Sequence, residues 1–267
     1  MHIRLKVNIL FLLLIGGCAT TWPVPGTLSD GAESVVVPSA FWGDHVFVEA
    51  SFDSSDARYR LLDTGFTFSI IDFKTAESLN MPATGESRLS GIGPEKSTGK
   101  VSSSPVKIQV IGIEPYAKTV PIADLSELSP VMGRSIDGVI GSDLFFRFIV
   151  EIDYATKTVK LFDKRTFNPD PESIAIPITI RRNRPYVEAA LSVSDETEIK
   201  GEFMIDTGSN GSISINSRFT EEHKLLNTIP KLPSSQVAGI GGSINVYKGI
   251  LNRFFMNTIS LNDVPIT

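Results

Sequence analysis

The sequence predicts an all-β protein of two lobes with few short helices. Two observations carry this. First, short segments recur in the same order. Phe47-Val48-Glu49-Ala50 returns as Tyr186-Val187-Glu188-Ala189, and Leu62-Asp63-Thr64-Gly65 as Ile205-Asp206-Thr207-Gly208. Gly91-Ile92-Gly93 returns as Gly239-Ile240-Gly241, and Val120-Pro121-Ile122 as Val264-Pro265-Ile266. The offsets of 139, 143, 148 and 144 residues mark one duplicated unit, with a period too long for a solenoid. Second, apolar residues alternate with a period of two in short runs bounded by turn residues, as strands require.

The elements follow in order. Val46, Val48, Ala50 and Phe52 alternate along one strand, and Tyr59 to Leu62 forms the next, running into Asp63. Asp72 is placed to cap a short helix over 73–79, since its carboxylate can accept a free N–H of the first turn. Asn216 stands at the matching point, ahead of a helix reaching about residue 226. Residues 106–113 read as a further strand. Ile149–Asp153 and Thr158–Phe162 flank the turn Tyr154-Ala155-Thr156-Lys157 as a hairpin. Asn168-Pro169-Asp170-Pro171 marks a linker over 163–173, which sets the first lobe at 35–162 and the second at 174–267.

Composition narrows the function. With 42% hydrophobic and 21% charged residues, the chain can bury a core and is not disordered. A net charge of −5 without a basic block argues against nucleic acid as a partner. One cysteine excludes an internal disulfide, and with three histidines it leaves no basis for a Cys/His zinc cluster, so neither metal nor cofactor is expected. A Ser-His-Asp enzyme would need His45 or His223 as its base; neither has ligand spacing to another candidate, and both read as surface or strand-edge residues.

The N-terminus reads as an address. Arg4 and Lys6 precede an unbroken apolar run over 9–15, which is too short to span a bilayer. Leu14-Ile15-Gly16-Gly17-Cys18 resembles the bacterial lipobox, against the alternative of an ordinary signal peptide with a chance cysteine. That resemblance implies a signal peptide over 1–17, lipidation of Cys18, a flexible tether over 18–34, and a periplasmic protein held on a membrane by its acyl chains. Ala19, rather than an aspartate, implies the outer membrane.

The chemistry lies in a paired motif. Asp63-Thr64-Gly65 and Asp206-Thr207-Gly208 each end an apolar strand at matching points of the two repeats. A single Asp-Thr-Gly is only a turn signal; two in register are not. Two carboxylates face to face do not both ionise readily, so one keeps a proton while the other stays charged, and the pair titrates as a unit. The charged member can draw a proton from water and the protonated member can donate to a carbonyl oxygen, which makes a hydrolase. Thr64 and Thr207 can bond across the junction, and Gly65 and Gly208 let backbone approach the carboxylates.

These residues resemble the retropepsin-like aspartic peptidases in their single-chain, two-lobed bacterial form. The resemblance runs from about Val35 to the end and includes Asp137-Gly138-Val139-Ile140-Gly141-Ser142-Asp143-Leu144, in which Val139-Ile140-Gly141 matches the family's threading strand. It implies Asp63 and Asp206 as catalytic residues and an extended peptide or protein as substrate. It also implies flaps at Gly91-Ile92-Gly93 and Gly239-Ile240-Gly241-Gly242, whose alternative reading is a plain hairpin turn. Phe66 stands where the family usually has a small residue; Ser209 matches it. After Val120-Pro121-Ile122 the first lobe continues over 123–162, whereas Val264-Pro265-Ile266 is followed only by Thr267. The second lobe is therefore expected to be incomplete and the first to open, unless a second copy of the chain lends strands in a homodimer. An active endopeptidase and a non-catalytic peptide-binding lipoprotein both remain open at this point.

Overall fold

The computed structural model describes residues 8–11, 24–89, 91, 97–194, 197–209, 211, 213–229 and 232–267. The chain is mostly strand with few short helices, as expected. Cys18, Ile92 and Gly93 lie outside the described residues.

In the N-terminal half, His45–Phe52 is the hub. It pairs antiparallel with Ser39–Trp42, Arg58–Leu62 and Val106–Val110. The three-residue strand Gly138–Ile140 threads between Arg58–Leu62, to which it is parallel, and Ile70–Asp72, to which it is antiparallel. Ile70–Asp72 also pairs in parallel with Pro121–Ala123. The hairpin Ala83–Leu89 and Ser97–Ser102 extends the sheet. Ile149–Asp153 and Thr158–Phe162 form the expected hairpin, which belongs to a second sheet. Val46, Val48, Phe52, Leu62 and Ile108 pack against Phe148, Val150, Ile152, Val159 and Leu161, so the core is filled from both sheets.

The pairing scheme recurs in the C-terminal half. Arg184–Ser194 is the hub, bonded to Ile178–Arg181, Thr197–Met204 and the long strand Gly242–Met256. That strand pairs with Leu232–Gly239 on one stretch and Ile259–Ile266 on another. A parallel bridge between Ile213 and Ile266 repeats the parallel pair of Ile71 and Ile122. Leu191, Leu225, Leu251, Phe254, Val264 and Ile266 form a smaller core. Among the described residues no strand takes the place here that Gly138–Ile140 takes in the first half, and Met204, Ile250 and Leu261 are exposed.

Four expectations change. The stretch read as a tether is packed from residue 26 onward: Gly26 N–H donates to Arg147 O at 3.1 Å, Leu28 is buried, and Ser34–Val37 pairs with Thr158–Phe162. Leu28 supplies the reason, since it fills the core beside Ile113, which it bridges. Asn8–Phe11, read as part of an address apart from the fold, lies antiparallel on Ile149–Asp153 in the full chain; removal of residues 1–17 would free that sheet edge. The helix after Asn216 is broken: Ser217–Glu222 ends before Lys224 at φ 52°, and Leu225–Thr228 follows. His45 is not at the surface; it is 2% exposed. The caps hold: Asp72 Oδ2 accepts Lys74 N–H at 2.9 Å, and Asn216 Oδ1 accepts Phe219 N–H at 3.0 Å.

Candidate active site

Asp63 follows Arg58–Leu62, and its own N–H donates to Ile140 O of the threading strand at 3.0 Å. Ser142 closes the same loop from behind, with its N–H on Phe66 O at 3.0 Å and its hydroxyl on Thr64 O at 3.2 Å. The threading strand is fastened at both ends. Asp137 pairs with buried Arg60 at 2.8 Å and with Arg58 at 3.1 Å. Asp143, also buried, accepts from the Ser69 backbone and hydroxyl and from the Tyr116 hydroxyl. Burial and the Asp143 charge push the Tyr116 phenol well above its usual range, so it stays a donor there.

Asp206 follows Thr197–Met204, and the structure brings its loop directly onto the first. Thr64 N–H donates to Thr207 Oγ1 at 3.1 Å, and Thr207 N–H to Thr64 Oγ1 at 3.1 Å. Each hydroxyl passes its own proton across the junction, Thr64 to Ile205 O at 2.6 Å and Thr207 to Leu62 O at 2.9 Å. Both threonines are buried, so all four bonds replace water that neither loop can reach. Thr64→Val and Thr207→Val are each expected to cost roughly 2 kcal/mol, because a buried N–H and a carbonyl lose their partner. In chemical denaturation the double variant should cost less than the two single costs together, since either change already breaks the exchange.

The carboxyls meet between these loops. Gly65 N–H donates to Asp63 Oδ1 at 2.6 Å, and Gly208 N–H to Asp206 Oδ1 at 2.9 Å. A Cβ built on Gly65 would stand 2.9 Å from Asp63 Oδ1 and 2.9 Å from Asp206 Oδ1. One on Gly208 would stand 2.0 Å from Asp63 Oδ2, so only glycine lets the Asp63 carboxyl lie there. Asp63 is 5% exposed, and Asp206 is half-buried. Burial first, then the Asp206 charge and a hydrogen bond with it, raise Asp63 well above the ordinary carboxylate range; the Gly65 and Phe66 N–H groups oppose this.

Of the two segments read as flaps, one lies wholly among the described residues. Gly239, Ile240, Gly241 and Gly242 form the tip of the hairpin between Leu232–Gly239 and Gly242–Met256, with Gly241 and Gly242 at φ 102° and 101°, a region that favours glycine. Ile240 is 5% exposed and packs with Phe47, Leu61, Ile70, Leu125 and Val139 of the other half. Phe66 lies against the same cluster. Gly242 N–H donates to Glu127 Oε2 at 3.1 Å. Gly91 faces the tip: a Cβ there would stand 2.6 Å from Ile240 O. Ser209 Oγ accepts Gly211 N–H at 3.2 Å, which shapes the second loop.

His45 is the residue that sequence reasoning missed. It is buried, and burial lowers its affinity for a proton while the Gly208 backbone and the Asp206 charge oppose this. A signal was present: His45 stands two residues before Phe47, as Arg184 stands two before Tyr186, a basic residue at the same point of both repeats. The second hairpin reaches back likewise, with Thr67 Oγ1 donating to Arg182 O at 3.3 Å. No protein-family model matches the chain, and no curated protein matches it.

Proposed function

We propose that the chain is a single-chain, two-lobed aspartic endopeptidase of the retropepsin-like kind. In this reading it hydrolyses peptide bonds with a water held between Asp63 and Asp206. The observation that supports it is the meeting of two Asp-Thr-Gly segments, far apart in sequence, as a carboxyl pair whose buried member favours its protonated form.

Asp206, half-buried, takes a proton from water as the water oxygen attacks the scissile carbonyl carbon. Asp63 gives its proton to the carbonyl oxygen, leaving a neutral gem-diol. On collapse the C–N bond breaks, the amine nitrogen takes the proton from Asp206, and one diol hydroxyl returns its proton to Asp63. The pair ends as it began. Partly buried Phe66 offers apolar contact to substrate side chains on the N-terminal half, and the tip that holds buried Ile240 would have to lift for substrate to enter, with Gly241 and Gly242 giving the backbone freedom for it. The alternative reading is a peptide-binding protein without cleavage.

Incubation with an unfolded protein between pH 3 and 7, with products read by mass spectrometry, tests the proposal. Cleavage is expected to stop with a peptide mimic carrying a central hydroxyl and to persist with chelators and thiol reagents. Cleavage that survives the mimic sinks the aspartic mechanism, and tight binding of the mimic with no cleavage of any substrate gives the binding reading. We further propose that the protein is a lipoprotein of the bacterial outer membrane facing the periplasm. Cys18→Ala should then move it from the membrane pellet to the soluble fraction, and unchanged fractionation would remove the lipid anchor.

A further inference from the structure

We propose that Ile240 is a built-in occupant of a substrate pocket. In the free chain its side chain fills an apolar site beside Asp63, which a branched aliphatic side chain of the substrate takes once the tip lifts. The tip thereby holds the site shut and selects for peptides that can replace it. This rests on the reading of Asp63 and Asp206 as a catalytic pair.

A two-residue hairpin tip ordinarily leaves its side chains in water. Ile240 stands between the paired residues Gly239 and Gly242, yet it is 5% exposed. The cluster that buries it has eight other buried members, all from the N-terminal half, as are Trp42, Phe66, Leu89 and Met132 packed against them. Among the described residues, Ile240 is thus the one side chain that the C-terminal half sends into this cluster. The cluster adjoins the catalytic aspartate. Leu61, one of its members, stands two residues before Asp63, and alternation puts the two on one side of the chain. Val139 pairs with Leu61, and Ile140 after it accepts the Asp63 N–H. Phe66 lies in the loop that follows Asp63.

The tip is also latched. Gly242 N–H donates to Glu127 Oε2 at 3.1 Å, and Glu127 lies in the chain between Leu125 and Leu128, both buried in the same cluster, so the acceptor is fixed at the rim of the pocket. Leu125 N–H in turn donates to Asp72 Oδ1 at 3.0 Å. Gly91 packs on the tip backbone, close to Ile240 O. Burial of a branched aliphatic side chain and the latch bond both favour the docked tip, and with Asp63 at 5% exposure the site is shut in this state. A polar side chain in the vacated pocket would leave its group unpaired, and a small one would leave a void. The pocket therefore suits a side chain of the size and branching of Ile240. Binding must displace the tip, so apparent affinity is reduced by the fraction of chains in which it is already lifted.

The test measures binding of hydroxyl-bearing peptide mimics to the full chain by calorimetry, the mimics differing only in the residue before the hydroxyl. The leucine mimic is expected to bind about tenfold or more tightly than its alanine and lysine counterparts. Its binding should speed hydrogen exchange at the Gly242 amide, which leaves Glu127 as the tip lifts. Ile240→Ser removes the occupant and should tighten the leucine mimic by about tenfold. Glu127→Ala, at an exposed position, removes the latch alone and should tighten it by a smaller factor, whereas Glu127→Gln keeps an acceptor oxygen and should stay near the unaltered chain. Glu127→Ala decides the matter if Ile240→Ser does not fold. Equal affinity for the three mimics, no tightening in either variant, or exchange at Gly242 that does not speed on binding overturns the proposal, as does failure of both the unaltered chain and the variants to bind any mimic. Mimics bound in the expected order, with no substrate cleaved, uphold the pocket and remove the catalytic reading.

Discussion

Asp63→Asn and Asp206→Asn are each expected to lower the rate of peptide cleavage by about 10³-fold or more, since each removes one partner of a proton-sharing pair. Asp63→Asn should also raise stability. The Asp63 carboxyl is buried, with a second carboxyl beside it, and its affinity for a proton is raised in the fold. The sign follows from linkage. A carboxyl raised in the fold contributes its stability in full below the unfolded value of about 3.9 and loses it as pH rises through the folded value. At pH 7 the ionisable side chain therefore works against folding, and an amide of the same shape does not. A Tm rise of a few degrees at pH 7, absent at pH 3, is the expected pattern, as 1 kcal/mol moves Tm by roughly 2–4 °C at this size. Cleavage retained near the starting rate in either variant removes the pair from the mechanism. A fall in Tm at pH 7 contradicts the burial argument.

Gly141→Ala is expected to be the most damaging single methyl in the N-terminal half. Its Cβ would stand 2.4 Å from both the carbonyl carbon and the oxygen of Phe68, and 2.8 Å from Ser69 N. These are backbone atoms of the loop that runs from Asp63 to Ile70–Asp72, so no side chain can swing aside. The threading strand must lift from the loop, which breaks the bond from Gly141 N–H to Ser69 Oγ and loosens the grip of Asp143 on Ser69. A loss of roughly 3 kcal/mol is expected in chemical denaturation, at the upper end of overpacking costs. Cleavage should fall with it, because Ile140 O holds the Asp63 N–H. Gly133→Ala is the control: it sits at φ 64° with nothing near its Cβ, so it should cost only the strain of that backbone conformation, about 1 kcal/mol. Equal losses in the two variants would show that the threading strand does not lock the loop.

The sequence by itself determined what depends on neighbours along the chain. Alternation gave the strand His45–Phe52 and the hairpin Ile149–Asp153 with Thr158–Phe162, because a strand's faces repeat every two residues. Asp72 and Asn216 marked helix starts because a cap bonds within three residues of itself. Recurrence at near-constant spacing marked Asp63 and Asp206 as a pair, with Thr64, Gly65, Thr207 and Gly208 as its frame.

Tertiary structure alone decided what depends on contacts between the two halves. Leu28 and Ser34–Val37 looked like tether because local pattern does not show that a core lacks a filler or a hairpin a neighbour. Ile240 looked like an exposed tip, and the apolar cluster that buries it is assembled from strands 47–139 of the other half. His45 was read as a surface or strand-edge residue; it opens a strand but is buried, and local pattern does not show that. A side chain's burial is set by the groups packed around it, and those can come from residues far along the chain, which a local pattern does not contain.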